Sequence, residues 1–222
     1  MTHSQHLPYG PLNQCYLDRI EATLMASLNT HPRLMVVRID LRIPDNGQYS
    51  DNQLSYDTPT FFMNTGPNLI SRFTKSLKAQ VTAEQYAKLK KGKRVHPCDI
   101  NFVWTREYSQ NNKPHYHLAL FVNRDRYHSL GNKNAPGSFA WIIKKAWASA
   151  LGLPVDEFST LVHIPENPIY ALNHNAPHQM FLEQLYPVLN RLSYLAKEKT
   201  KIYGTGQRNF GCSNPKKMVL RG

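Results

Sequence analysis

The chain contains no run of eighteen apolar residues, and its opening Met1-Thr-His-Ser-Gln-His-Leu-Pro lacks the charged-then-apolar order of a secretion signal. No membrane segment is expected, and a soluble cytoplasmic protein is. Cysteine is scarce: Cys15, Cys98 and Cys212 stand far apart with no C-x-x-C pair, which argues against a disulfide framework and a zinc ribbon. They read as reduced thiols. No internal repeat, low-complexity tract or Walker A loop occurs. Acidic residues are also few. Asp and Glu number 15 against 27 Lys and Arg, a net charge of +12 at pH 7, which suits a polyanionic partner such as nucleic acid. A basic protein with no special partner would satisfy the same numbers, because charge governs association and not fold.

Of the 222 residues, 41% are hydrophobic, enough for one substantial core and few for two full domains, so a single domain over 1–222 is expected. Leu17, Ile20, Leu24 and Leu28 recur at helical spacing and predict a helix over 12–28. A strand follows over 34–42, where Met35, Val37, Ile39 and Leu41 alternate with Val36, Arg38, Asp40 and Arg42. One face is then apolar and the other mostly charged, the charged face being expected to meet water, with DNA as the second choice. Residues 44–66 are polar, with Asp45-Asn-Gly47 as a turn and Pro59 as a breaker, and read as a surface loop insertion.

Pro67 suits the first position of a helix that buries Leu69, Ile70, Phe73 and Leu77. A second helical stretch from Thr82 ends at Gly92, inside the basic run Lys88, Lys90, Lys91, Lys93 and Arg94. That run is a candidate DNA contact and, with equal weight, a solvated face. Strands over 98–107 and 115–122 form a hairpin across a polar linker. A helix over 138–151 has Ser138 as cap and Gly152 as stop, and a short strand over 160–164 follows it. Residues 180–199 are helical with Pro187 between them, as two helices or one kinked helix. The end, from about 208 to 222, is a basic tail.

Two patterns carry chemistry. In Pro114-His-Tyr-His-Leu-Ala-Leu-Phe121 the two histidines project from one face of a strand, where His115 and His117 can share a metal ion. A hard ion such as Mg2+ or Mn2+ prefers oxygen, so a carboxylate should complete the set. Glu107 lies on the histidines' side if the hairpin pairs it with His115 or His117, which needs an odd-length loop or a bulge. Asp40 is the substitute if Glu107 points away. In Ser193-Tyr-Leu-Ala-Lys197, Tyr194 and Lys197 fall together at i and i+3, away from the apolar stripe of Val188, Leu189, Leu192 and Leu195. A phenol with a free pKa of about 10 needs a neighbouring cation to act as a nucleophile, and Lys197 supplies one.

Taken in order, these motifs resemble the HUH endonucleases, the superfamily of rolling-circle replication initiators, relaxases and single-strand transposases. The chain looks most like the inovirus gene-two-protein-like family of phage and prophage initiators, a likeness shared by Thr65-Gly-Pro-Asn-Leu-Ile-Ser-Arg-Phe73 and Arg208-Asn-Phe-Gly211. The resemblance implies an α+β fold, with a central antiparallel sheet of the ferredoxin-like or palm-like kind flanked by helices. It implies His115, His117 and Glu107 as ligands of Mg2+ or Mn2+, Tyr194 as nucleophile and Lys197 as its aid at the phosphate. The partner implied is single-stranded or locally melted DNA at an origin in a bacterial host cell, with a host helicase as an open question. The products would be a 5′-phosphotyrosyl link and a 3′-hydroxyl, made to start replication or mobilisation of a phage or mobile element. The chain lacks the Y-x-x-x-Y of two-tyrosine initiators, since Tyr186 and Tyr203 stand off the pattern, so a single tyrosine is expected to act.

Trp104, Tyr116, Phe121 and Trp141 are candidates to stack on unpaired bases, with core packing as their ordinary fate. A non-catalytic DNA-binding protein and a metal-dependent nuclease using water remain as rival classes. A zinc hydrolase built on His174 and His178 is disfavoured because Pro177 lies between them.

Overall fold

A computed structural model describes residues 10–44, 63–109, 111, 113–155 and 159–214. Most of the expected loop insertion and the end of the basic tail lie outside the described residues. The fold is α+β: among the described residues four α-helices accompany a six-stranded antiparallel sheet. In chain order the elements are α1 (Gln14–Thr30), β1 (Arg33–Arg42), α2 (Leu69–Lys90), β2 (Asn101–Tyr108) and β3 (Pro114–Asn123). There follow α3 (Phe139–Leu151), β4 (Val162–His163), β5 (Ile169–Asn173), α4 (His178–Ser193) and β6 (Phe210–Cys212). The sheet runs β4-β1-β3-β2-β6, with β5 also paired to β1. Among the described residues no helix is long and apolar enough to cross a membrane.

The chain divides into two compact units, one of Met1–Asp40, His96–His128 and Ile164–Gly222, the other of Leu41–Val95 and Ser129–His163. In the first unit, α1 and α4 cover one face of the sheet. Ile20, Leu24 and Leu28 from α1 and Val188 and Leu192 from α4 pack with Leu34, Val36, Val103, Ala119 and Phe121 from the strands. The side chain of Asn13 caps α1 by accepting from the Tyr16 N–H at 3.1 Å. In the second unit, Phe73 of α2 meets Trp147 of α3 edge to face, with ring centroids 5.8 Å apart. Ser138 caps α3, and Gly152 ends it with a φ of 75°, both as the sequence predicts.

Three expectations change, and one open alternative, at Pro187, is decided. The stretches on either side of Thr82 are one continuous helix, α2, because no breaker separates them before Gly92, whose φ is 69°. Pro67 precedes the helix rather than starting it. Pro187 does not divide α4: it sits inside the helix, where its missing N–H costs one backbone hydrogen bond that the packing of Phe181, Val188 and Leu192 offsets. The face of β1 expected to meet water is buried instead. Arg38 is 4% exposed, because the face that starts with Leu34 and Val36 under the helices continues into a polar cluster at Arg38 and Asp40. The strand β5 carries mixed polarity and gave no alternation to read.

At the other side of β2, Gly211 of β6 pairs with Trp104, and a Cβ at Gly211 would lie 2.6 Å from the indole nitrogen. Gly211→Ala should therefore push the indole aside and destabilise the chain by about 1–3 kcal/mol. Urea unfolding followed by tryptophan fluorescence measures this, and an unchanged midpoint would contradict it.

Candidate active site

Side chains on one face of a sheet recur every second residue, and the face covered by α1 and α4 is apolar at one end and polar at the other. The β2–β3 register pairs Asn101 with Phe121, Thr105 with His117 and Glu107 with His115. Seven residues separate Glu107 from His115, the odd-length linker that sets all three side chains on one side of the hairpin. Asp40 and Arg38 of β1 share that side. The ligand atoms of Glu107, His115 and His117 all lie within 4.8 Å of one another.

The cluster is dry. Glu107 is 1% exposed and His117 8%, with His115 half-buried. His117 Nδ1 is 2.5 Å from Asp40 Oδ1, and Arg38 Nη1 donates to the same oxygen at 2.6 Å. Asp40 thus fixes the ring through Nδ1, and Nε2 faces Glu107 Oε2 at 3.3 Å. Glu107 Oε1 is buried and accepts no hydrogen bond, with Lys201 Nζ 4.0 Å away. A buried carboxylate oxygen left so is costly, and a bound cation would offset that cost. The group Glu107, His115 and His117 can therefore hold a metal ion.

The ionisation states suit that use. Burial pushes the His115 imidazole below its ordinary value, and the neighbouring His117 adds to the shift, so its ring is neutral at pH 7. Burial would raise Glu107, but the hydrogen bonds and charges of His117 and Lys197 outweigh it and hold the carboxyl at about 2. Asp40 is likewise held well below the carboxylate range: burial alone would raise it, and His117 with Arg38 overcomes that. A neutral imidazole at His115 and an ionised carboxylate at Glu107 are forms that ligate metal.

Tyr194 reaches the same cluster by a local device. The helix α4 ends at Ser193, and Tyr194–Ala196 continue as one 3-10 turn. At three residues per turn the side chains at i and i+3 eclipse, so Lys197 lies over Tyr194 more directly than an α-helix would set it. Lys197 Nζ donates to Tyr194 Oη at 2.5 Å and pairs with Glu107 Oε2 at 2.7 Å. The Tyr194 and His117 rings meet edge to face with centroids 5.4 Å apart. The leading segment holds this turn: Leu12 forms a backbone bridge with Lys197, Asn13 N–H donates to the Ala196 carbonyl at 2.8 Å, and the Asn13 amide donates to Glu198 at 2.7 Å.

The structure brings together His115, His117, Glu107, Tyr194 and Lys197, and sets Asp40 behind His117. Sequence reasoning missed Arg38, Thr200 and Lys201. Thr200 Oγ1 donates to Glu107 Oε2 at 2.8 Å, and Lys201 Nζ stands 4.0 Å from Glu107 Oε1. No motif marks them, because they come from a turn after the last helix.

The basic run belongs to the second unit, whereas the Glu107 cluster is built within the first. Lys88 pairs with Glu84, and Lys90, Lys91, Lys93 and Arg94 are exposed. Tyr116 and Phe121 are buried and Trp104 and Trp141 half-buried, so the first two serve packing. Tyr186 and Tyr203 are exposed and outside the cluster. His178 begins α4 and His174 lies against Phe181, neither joining the ligand group.

Comparison with known proteins gives a family. The YagK/YfjJ C-terminal domain profile matches residues 1–213. The uncharacterized protein YagK of Escherichia coli strain K12 is 38% identical over 201 residues, 89% of this chain and 91% of that one. The uncharacterized protein YfjJ of the same strain is 38% identical over 212 residues, 92% of this chain and 96% of its own length. The chain belongs to the YagK/YfjJ C-terminal domain family. No solved structure matches it.

With Mn2+ as probe ion, His117→Ala and Glu107→Gln should abolish binding measured by calorimetry. Asp40→Asn should weaken it about 10–100-fold, since an outer carboxylate orients the ligand without touching the ion. Equal affinity in all three variants would rule out this ligand set.

Proposed function

We propose that this member of the YagK/YfjJ family nicks and rejoins single-stranded DNA through a covalent bond to Tyr194, with Mg2+ or Mn2+ held by Glu107, His115 and His117. One observation carries the reading: a single ammonium, Lys197 Nζ, touches both Tyr194 Oη and Glu107 Oε2, beside the edge-to-face pair of His117 and Tyr194. A phenol, a cation and a ligand-type carboxylate in one cluster suit phosphoryl transfer better than they suit packing. The likeness of the motif order to the HUH endonucleases supports the same chemistry, as does the net charge of +12.

When bound, the divalent ion supplies positive charge to a non-bridging oxygen of the scissile phosphate. Lys197 stabilises the phenolate as Tyr194 loses its proton to solvent. The phenolate oxygen bonds to phosphorus, and the bond from phosphorus to the 3′ oxygen breaks. The leaving oxygen takes a proton and becomes a 3′-hydroxyl, while the 5′-phosphate stays on Tyr194. In the reverse step that hydroxyl attacks the same phosphorus and frees the tyrosine, so one tyrosine suffices for nicking and joining. Asp40 and Arg38 hold the His117 ring in place throughout. The setting that fits this chemistry is the start of rolling-circle replication or the mobilisation of a phage or mobile element.

A pool of random-sequence single-stranded oligonucleotides with Mn2+, resolved on a denaturing gel, tests the reading. A 3′ label should appear on a protein adduct and a 5′ label on a shortened free strand, with both lost in Tyr194→Phe. Cleavage that survives Tyr194→Phe would assign the attack to water instead. Retention of uncut DNA, equal with and without Mn2+, would leave a binding protein and end the proposal.

A further inference from the structure

Residues Glu198 to Lys201 make a tight turn, closed by the Lys201 N–H donating to the Glu198 carbonyl at 3.3 Å. Its third position is Thr200, with a φ of 74°. Turns that need a positive φ at that position ordinarily take Gly or Asn, and a β-branched residue there is strained. The chain does use glycine close by, at Gly204 and Gly206, where φ is 81° and 69°. A threonine held in this conformation calls for a reason beyond the turn, since such strain persists only where surrounding contacts impose it.

The contacts point to Glu107. The Thr200 hydroxyl lies 2.8 Å from Glu107 Oε2 and also close to the Lys199 carbonyl; of the two, the charged carboxylate is the stronger acceptor for its one proton. The Thr200 carbonyl accepts the N–H of Tyr108, the residue after Glu107, at 3.1 Å. The turn is thus tied to β2 through its backbone and to the carboxylate through its side chain. Glu107 Oε2 receives Thr200 and Lys197, while Oε1 receives no hydrogen bond.

We infer that Thr200 is a positioning residue: the strained turn keeps its hydroxyl on Glu107 Oε2, fixing the orientation of the carboxylate that would hold an ion together with His115 and His117. This rests on the reading of the cluster as a metal centre. Thr200 itself is exposed, so a purely structural role would be felt as turn stability and not as ion affinity.

Three variants of the full chain separate the two roles by Mn2+ calorimetry and thermal unfolding. T200V keeps the branch and removes the hydroxyl, T200G removes both hydroxyl and strain, and T200S keeps the hydroxyl. T200V and T200G should bind Mn2+ about 10–100-fold more weakly, the usual effect of losing a group that orients a ligand, while T200S retains the parent affinity. T200G should unfold at or above the parent temperature while binding worse, and it decides the matter if T200V fails to fold. Parent-like affinity in T200G would overturn the assignment to Thr200 alone. No Mn2+ binding by the parent would overturn the metal centre, and this inference with it.

Discussion

Glu107 and His115 face each other across a hairpin, and that pairing is the constraint on which the rest of the centre depends. Strand side chains alternate, so a slip of one residue in the β2–β3 register would send Glu107 to the opposite face of the sheet from His115 and His117. The register is fixed elsewhere, by Val103, Ala119 and Phe121 buried under α1 and α4. Apolar packing at one end of a shared face therefore locates polar groups at the other. The same face of β1 passes from Leu34 and Val36 to Arg38 and Asp40, which adds the carboxylate behind His117.

Burying this many ionisable groups is tolerable because they satisfy one another. Arg38 and His117 meet on Asp40, and Lys197 and Thr200 meet on Glu107. Each carboxylate keeps one oxygen crowded with donors. Glu107 Oε1 is left without a hydrogen bond, and a buried polar atom short of a partner is where a ligand has most to offer.

Much of this was legible in the residues. Helices with clear stripes, such as α1 and α3, follow from spacing, and α3 also from Ser138 and Gly152. The H-x-H pair and its carboxylate were readable because the linker length alone decides which side Glu107 takes. Three things were not. The burial of Arg38 could not be read from alternation, which reports that two faces differ and not what covers them. Pro187 left two helices or one open, and tertiary packing, which local preference does not report, decides for one. The 3-10 turn at Tyr194 and the strained turn at Thr200 are backbone choices with no side-chain period, so neither leaves a pattern to find.

The backbone bridge between Leu12 and Lys197 joins the segment before α1 to the lysine beside Tyr194 across most of the sequence. Asn13 adds two contacts to the same turn, so this segment supports the cluster from as far as 185 positions away along the chain. A passenger fused ahead of it would pull on the Lys197 backbone, and a compliant spacer would spare the cluster that load.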